Sequence, residues 1–328
     1  MYICNSLKII VLHFYKYNII EKTEKITSSK YMARPFVKWA GGKAQLLDII
    51  DEKIGDFREK SEGFIYVEPF VGGGSVLLHL LDTCSNLRYA IINDANEQLI
   101  NVYRVVADNS LYPQFKETLL DIQNQYNSDS MKKEKYMLFR HDYNHWIKGE
   151  INHSNVWGAA AFVFLNKCGF NGLYRVNQKG EFNVPWGQKE TLRLFNEDEL
   201  DKTHILLNEK VAILSGDYKR TDIMLQVSKV EKLDIIYYLD PPYRPISNTS
   251  NFTSYTKDEF DDKEQERLKA FCDEIDHSGG KFLLSNSKCD DYFDELYEGY
   301  NIDTVAAKRQ INSVGTKRGA VKEVLISN

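Results

Sequence analysis

The chain of 328 residues is poor in the features that staple, anchor or metallate a fold. Its five cysteines, Cys4, Cys84, Cys168, Cys272 and Cys289, form no close pair and no Cys-x-x-Cys. An odd, scattered set argues against a disulfide frame and fits reduced thiols in a cytoplasmic protein. No apolar run is long enough to span a bilayer. The best stretch, Leu7–Ile20, is broken by Lys8, His13, Lys16 and Asn18 and lacks the small-residue cleavage site of a secretory signal. There is no internal repeat and no low-complexity tract. His141 and His145 are spaced to share a helix face but have no obvious third ligand nearby, so no metal is expected. Positive charge is not in excess either: 42 Lys+Arg against 47 Asp+Glu give a net charge of −5, which on global grounds speaks against a nucleic-acid partner.

What is present suits a large folded unit. Hydrophobic residues make up 43% of the chain, with 20 Tyr and 17 Phe, enough for a sizeable core. The length allows two domains, or one domain carrying an insertion. Residues 1–31 stand apart. Motif-like sequence begins after Met32, so 1–31 reads as an N-terminal extension upstream of a start at Met32, the alternative being a helix packed on the domain. Short apolar runs ending in turn residues recur at Phe64–Pro69, Tyr89–Asn93, Val211–Leu214, Ile235–Leu239 and Lys281–Leu284. Helical stretches follow at Ser75–Leu81, Asn96–Val106 and Lys263–Ile275. The alternation predicts a doubly wound α/β sheet. The interval after the second run is too long for one crossover, so 108–204 reads as an inserted, mainly helical domain within a domain formed by 32–107 and 205–328. Tyr300–Ala306 and Val321–Ser327 read as a C-terminal hairpin closing the sheet.

Three constellations carry chemistry. The first, Glu68-Pro69-Phe70-Val71-Gly72-Gly73-Gly74-Ser75, lies between a strand and a helix, where glycines admit a ligand close to the backbone. Leu77 replaces the third glycine of the dinucleotide fingerprint. Asp94, at the end of the next strand, can accept both hydroxyls of a ribose, or cap the following helix, or do both. The second is Asp240-Pro241-Pro242-Tyr243, directly after an apolar strand. Two prolines stiffen the turn and leave carbonyls without a local N–H partner. A carboxylate and a rigid carbonyl can together accept both hydrogens of an amino group, and Tyr243 offers a face to a planar base. A plain turn with a capping Asp is the structural alternative. The third is Phe36-Val37-Lys38-Trp39-Ala40-Gly41-Gly42-Lys43, suited to a nucleoside or its carboxylate tail. Its spacing does not match a P-loop, and a loop with a packed Trp is the alternative.

Together these residues resemble the Dam-type DNA adenine-N6 methyltransferases, the α group of amino-methyltransferases. The resemblance runs from about Phe36 to the C-terminus. It adds Cys168-Gly169-Phe170-Asn171-Gly172-Leu173-Tyr174-Arg175-Val176-Asn177, Gly180-Glu181-Phe182-Asn183-Val184-Pro185, Asn251-Phe252-Thr253-Ser254-Tyr255 and Leu284-Ser285-Asn286 in family order. It implies an S-adenosylmethionine-dependent Rossmann-like fold and no metal. It further implies that Trp39, Lys43, Glu68, Phe70, Gly72, Gly74, Ser75, Asp94, Asp217 and Asp240 hold the cofactor. Asp240, Pro241, Pro242 and Tyr243 would hold a flipped adenine. The inserted domain would recognise double-stranded DNA through Lys38, Phe170, Asn171, Leu173, Arg175, Asn177, Asn183 and Pro185. Members that read GATC carry Asn-Gly-Leu-x-Arg and Phe-Asn-Val-Pro, and both are here. Phe170 stands where some relatives have a Tyr that wedges into DNA, so stacking is kept and a hydroxyl contact is not.

The charge objection weakens locally. Met131–Arg193 carries ten Lys/Arg against five Asp/Glu, and Thr304–Lys322 carries five Lys/Arg and no acid. No cysteine follows a proline, which excludes the nucleophile of cytosine-C5 methyltransferases. Cytosine-N4 enzymes usually have Ser in place of Asp240. The rivals left are an RNA adenine-N6 methyltransferase and a catalytically inactive DNA-binding protein. A monomer is expected, standing alone or beside a restriction endonuclease for the same site. No Pro-Asp dipeptide occurs, so the commonest nuclease motif is absent from this sequence.

Overall fold

A computed structural model describes residues 32–39, 41–60, 62–244, 260–288, 290–308 and 320–328. The expectations for 1–31 and for Asn251–Tyr255 lie outside these, as do Ala40, Cys4, Cys289 and most of the basic run after Thr304. The described chain forms β1 (Phe64–Glu68), β2 (Leu87–Ile92), β3 (Val211–Ile213), β4 (Asp234–Leu239), β5 (Lys281–Ser287), β6 (Asn301–Lys308) and β7 (Ala320–Ser327). All seven join one sheet in the order β3-β2-β1-β4-β5-β7-β6, with β7 antiparallel to both neighbours and the remaining pairs parallel. The C-terminal hairpin is therefore present, but its second strand, not its first, docks on β5.

Strands β1 to β4 are apolar because both faces are covered. Alternate residues feed two cores. Phe64, Tyr66, Ala90, Ile92 and Tyr238 point into one, and Ile65, Val67, Ile91, Tyr237 and Leu239 into the other. The second core is closed by α9 (Ile223–Glu231), α10 (Asp262–His277) and α11 (Tyr292–Leu296). In α10, Leu268, Phe271, Cys272 and Ile275 recur at helical spacing and are all buried, and Asp261 caps the helix by accepting the Glu264 N–H at 3.0 Å. Truncating Phe271 would cost about 3–5 kcal/mol.

The first core is closed by α1 (Leu47–Lys53), α3 (Ser75–Thr83) and α4 (Glu97–Ala107), and the short α2 (Gly55–Lys60) packs Phe57 against it. It continues without a break into the inserted helices α5 (Tyr112–Ser128), α6 (Lys132–Ile147), α7 (Asn155–Cys168) and α8 (Glu197–Lys210). α7 is buried almost all round, and its Ala159-Ala160-Ala161 run lets α4 and α5 approach closely. Its start is capped by Ser154, and a Cβ at Gly158 would lie 2.2 Å from the Trp146 ring, so Gly158→Ala would force the two helices apart. No described helix is long and apolar enough to cross a membrane.

Candidate active site

Successive crossovers run outward in opposite directions from β1 and β4, so the loops at the carboxyl ends of these two adjacent strands part and leave a crevice. The Gly72 turn follows β1, and Asp240 follows β4. On the β1 side, Asp94 is tied down twice: Gly72 N–H donates to Oδ2 at 3.0 Å and Asn96 N–H to Oδ1 at 2.9 Å. Burial pushes the Asp94 carboxyl up to about 6, against those N–H bonds, which pull it down. Asn96, not Asp94, caps α4, through the N–H groups of Gln98 and Leu99. The capping reading of Asp94 therefore gives way, because its carboxylate is turned toward Gly72.

Gly72 adopts φ 48° and lies so close to Trp39 that a Cβ would stand 2.7 Å from the indole. At Gly74 (φ 70°) a Cβ would meet the Tyr103 hydroxyl at 2.4 Å, and that hydroxyl donates to the Gly72 carbonyl at 3.0 Å. Ser75 opens α3. Glu68 is buried and accepts a hydrogen bond from Tyr66 OH at 2.9 Å; burial drives its carboxyl well above the usual range. Asn93 joins three loops, since its amide donates to the carbonyls of Pro69 and Gly216 while Gly216 N–H donates to the Asp94 carbonyl. Beyond Gly216, Asp217 caps the turn Tyr218–Thr221 and is gripped by Arg267, with Arg267–Asp217 distances of 2.8–2.9 Å. Burial opposes ionisation there, but Arg267 and the Lys219 N–H outweigh it and lower the carboxyl. Phe70 packs on Tyr218 and Phe260 beside it.

On the β4 side, Asp240 Oδ1 is held by Lys43 Nζ at 2.7 Å and by Ser285 Oγ at 3.0 Å. Lys43 is 5% exposed and donates also to the Gly41 carbonyl at 2.8 Å, with its ammonium 4.7 Å from the centre of the Tyr243 ring. Lys43, expected against the cofactor, therefore faces the carboxylate of the Pro-Pro turn. The two prolines also separate. Pro241 is buried, whereas Pro242 is exposed and its carbonyl receives the Gln265 amide at 3.4 Å, so only the first carbonyl fits the expectation of an acceptor left over.

The segment expected to recognise DNA folds as two antiparallel arms bridged at Gly169–Trp186 and Val176–Phe182. Tyr174, Phe182 and Val184 turn inward, while Asn171, Arg175, Pro185 and the half-exposed Phe170 turn outward. Leu173 is partly buried. Asn171 takes φ 54°, the left-handed turn that swings the chain into the first arm. Arg175 is steadied from Nε by Asn183 Oδ1 at 2.8 Å. Asn177 is engaged within the segment: its Oδ1 takes the N–H groups of Lys179 and Glu181 and its amide donates to the Glu181 carboxylate, so it builds the turn between the arms. The segment is fastened to the crevice at two points. Tyr174 stacks on Trp39 at 5.7 Å and on Phe162 at 5.1 Å. Asn166, fully buried, bonds both the N–H and the carbonyl of Lys38 at 2.8 Å and the Gly172 carbonyl at 2.9 Å.

Sequence reasoning assigned no role to Asn166, Asn93, Ser285 or Arg267. Asn166 carried a usable signal, an amide inside the apolar run Ala-Phe-Val-Phe-Leu-Asn, where a polar group must be bonded to be tolerated.

Comparison with known proteins gives the family. Residues 39–311 match the model of the D12 class N6 adenine-specific DNA methyltransferases. The type II methyltransferase M.MjaIII of Methanocaldococcus jannaschii is 43% identical, covering 90% of this chain and 99% of the relative. The type II methyltransferase M1.LlaDCHI of Lactococcus lactis subsp. cremoris is 34% identical over 92% and 98%. A DNA adenine methylase of Vibrio cholerae is 31% identical over 89% and 95%. The chain belongs to the D12 class of N6 adenine-specific DNA methyltransferases.

Proposed function

We propose that the enzyme methylates the N6 nitrogen of an adenine flipped out of duplex DNA at GATC, with S-adenosylmethionine as donor, and that residues 108–204 form its target-recognition domain. The observation that carries the reading is the Asp240 carboxylate, anchored through Oδ1 by Lys43 and Ser285 beside the Tyr243 ring. Oδ2 is left to accept an N6 hydrogen, and the Pro241 carbonyl can accept the other. Withdrawing both protons in part returns electron density to a nitrogen whose lone pair is delocalised into its ring. The half-buried carboxylate, preorganised by Lys43 and Ser285, does this without reorganising at the moment of reaction.

The β1 side suits the cofactor. The Gly72 turn, which any Cβ would fill, and the twice-anchored Asp94 offer a close backbone and a carboxylate for ribose hydroxyls. Phe70 and Asp217 offer an aromatic face and an acceptor for an adenine ring. When bound, S-adenosylmethionine supplies a methyl group already activated on a sulfonium sulfur.

For recognition, Arg175 can donate two hydrogen bonds to O6 and N7 of a guanine, and Leu173 and Pro185 can meet a thymine methyl. Phe170 is exposed and free of polar demands, as a wedge between bases requires. Lys38 is placed by Asn166 next to the same arm. The reading includes a monomer acting in the cytoplasm, alone or beside a nuclease for the same site. Expression in a methylation-deficient host, followed by digestion with nucleases that distinguish methylated from unmethylated GATC, tests it. GATC sites should be protected from the nuclease blocked by methylation. Adenine methylation confined to other sequences would reject GATC and leave the chemistry standing.

A further inference from the structure

The Tyr243 ring sits on a two-proline turn, and backbone stiffness alone does not set its rotation about χ1 and χ2. Its hydroxyl donates to Glu323 Oε2 at 2.7 Å, across 80 residues of chain. Glu323 lies on β7, opposite Ser287 of β5 and Val305 of β6, where the antiparallel strand starts at the carboxyl edge of the sheet. Lys43 approaches the same ring, 4.7 Å from its centre. The ring is thus held at its hydroxyl by Glu323 and approached over its face by the lysine that anchors Asp240. Burial pushes the Tyr243 phenol well up, with Asp240 and Glu323 adding to the effect, so it stays a donor.

We propose that Glu323 is a positioning residue, which accepts the hydrogen bond of the Tyr243 hydroxyl and fixes the aromatic face that receives the target adenine. The inference rests on the reading of Tyr243 as the stacking residue. A base held against a ring free to swing would meet Asp240 in fewer productive orientations, which lowers the rate of transfer and leaves binding of the methyl donor alone.

The test uses the full chain and Glu323→Ala, Glu323→Gln, Tyr243→Phe and Tyr243→Ala, with single-turnover methylation of a duplex containing the target site. Binding is read separately, with S-adenosylmethionine by calorimetry and with a duplex carrying 2-aminopurine at the target position by fluorescence. Glu323→Ala should slow single-turnover methylation about tenfold, with affinity for the methyl donor within about twofold of wild type. The flipped 2-aminopurine should become brighter, because looser stacking quenches it less. Glu323→Gln, whose amide oxygen can accept the same bond, should recover to within about threefold. Tyr243→Phe should match Glu323→Ala, and the double variant should be no slower than either. Wild-type rates for Glu323→Ala with a slow Tyr243→Ala would overturn the inference alone. Wild-type rates for Tyr243→Ala would overturn the stacking reading beneath it. A Glu323→Gln as slow as Glu323→Ala would replace positioning by a role for charge. Should Glu323→Ala fail to fold, wild-type rates for Tyr243→Phe would overturn the inference in its place.

Discussion

The crevice beyond β1 and β4 and the two arms between Gly169 and Trp186 are held in different ways. In the crevice the functional side chains are themselves tied down: Lys43 to Asp240 and Gly41, Asp94 to Gly72 and Asn96, Asp217 to Arg267. In the arms it is chiefly the backbone that is tied down, although Arg175 is also held by Asn183. Asn166 holds Lys38 and Gly172, Asn177 holds the turn, and Asn144 bonds both the N–H and the carbonyl of Phe182. Tyr136 and Arg140 share the Val184 carbonyl. The outward tips of Phe170 and Pro185 carry no polar demand. The difference fits the proposed roles. On that reading, polarising one amino group needs charges fixed in advance, whereas reading an edge of DNA needs tips that can settle onto it from a firm base.

Four substitutions press on this contrast. Asp240→Ala should reduce methylation by at least about 100-fold while DNA affinity stays within a few-fold, since on the proposed reading Asp240 polarises the amino group and DNA is held through phosphate contacts. Retention of a tenth of the wild-type rate would remove Asp240 from its assigned role. Asn166→Ala should cost about 2–4 kcal/mol of stability in a denaturant titration, because a buried N–H and two carbonyls lose their partner. A loss under about 0.5 kcal/mol would mean the Tyr174 stack and the bonds from Asn144, Tyr136 and Arg140 hold the arms without Asn166.

Arg175→Ala should cost about 1–3 kcal/mol at one base pair and bring altered sites at that pair close to GATC in initial rate. A uniform drop on every substrate, at one salt concentration, would make Arg175 a backbone contact. The smallest effect concerns Asp94. Its carboxyl is raised to about 6, so acidification through that value protonates the acceptor and weakens binding of S-adenosylmethionine. Between pH 7 and 5 the loss should be about tenfold by calorimetry, and Asp94→Asn should bind weakly with little dependence on pH over that range. An unchanged pH profile in Asp94→Asn would place the titrating group elsewhere.

Much of this architecture is legible in the sequence. Apolar runs bounded by turn residues mark β1, β2, β4 and β5 to within a few residues, because a strand covered on both faces must be apolar throughout. Less legible are the short helices α1, α2 and α11, whose few buried positions leave little periodicity to read. The Asp-Pro-Pro-Tyr and Gly-rich turns can be located, since local chemistry makes a turn. The job of Asn177 cannot, because one amide serves equally as a turn-builder or a reading group, and only its neighbours decide.

The sequence by itself thus determined the alternation of strands and helices, the long interval that became α5 to α8, and the identity of the residues offered to the crevice. Only the tertiary structure decided how they pair. Lys43, in the turn that precedes α1, reaches Asp240 beyond the end of β4 although the two are far apart in the chain. Glu323 reaches Tyr243 because β7 is antiparallel and inserts between β5 and β6, which brings its beginning to the edge where the parallel strands end. Side-chain periodicity is a local property of the backbone, whereas strand order and direction are settled by packing among distant segments, and the partners of these charges follow from that order.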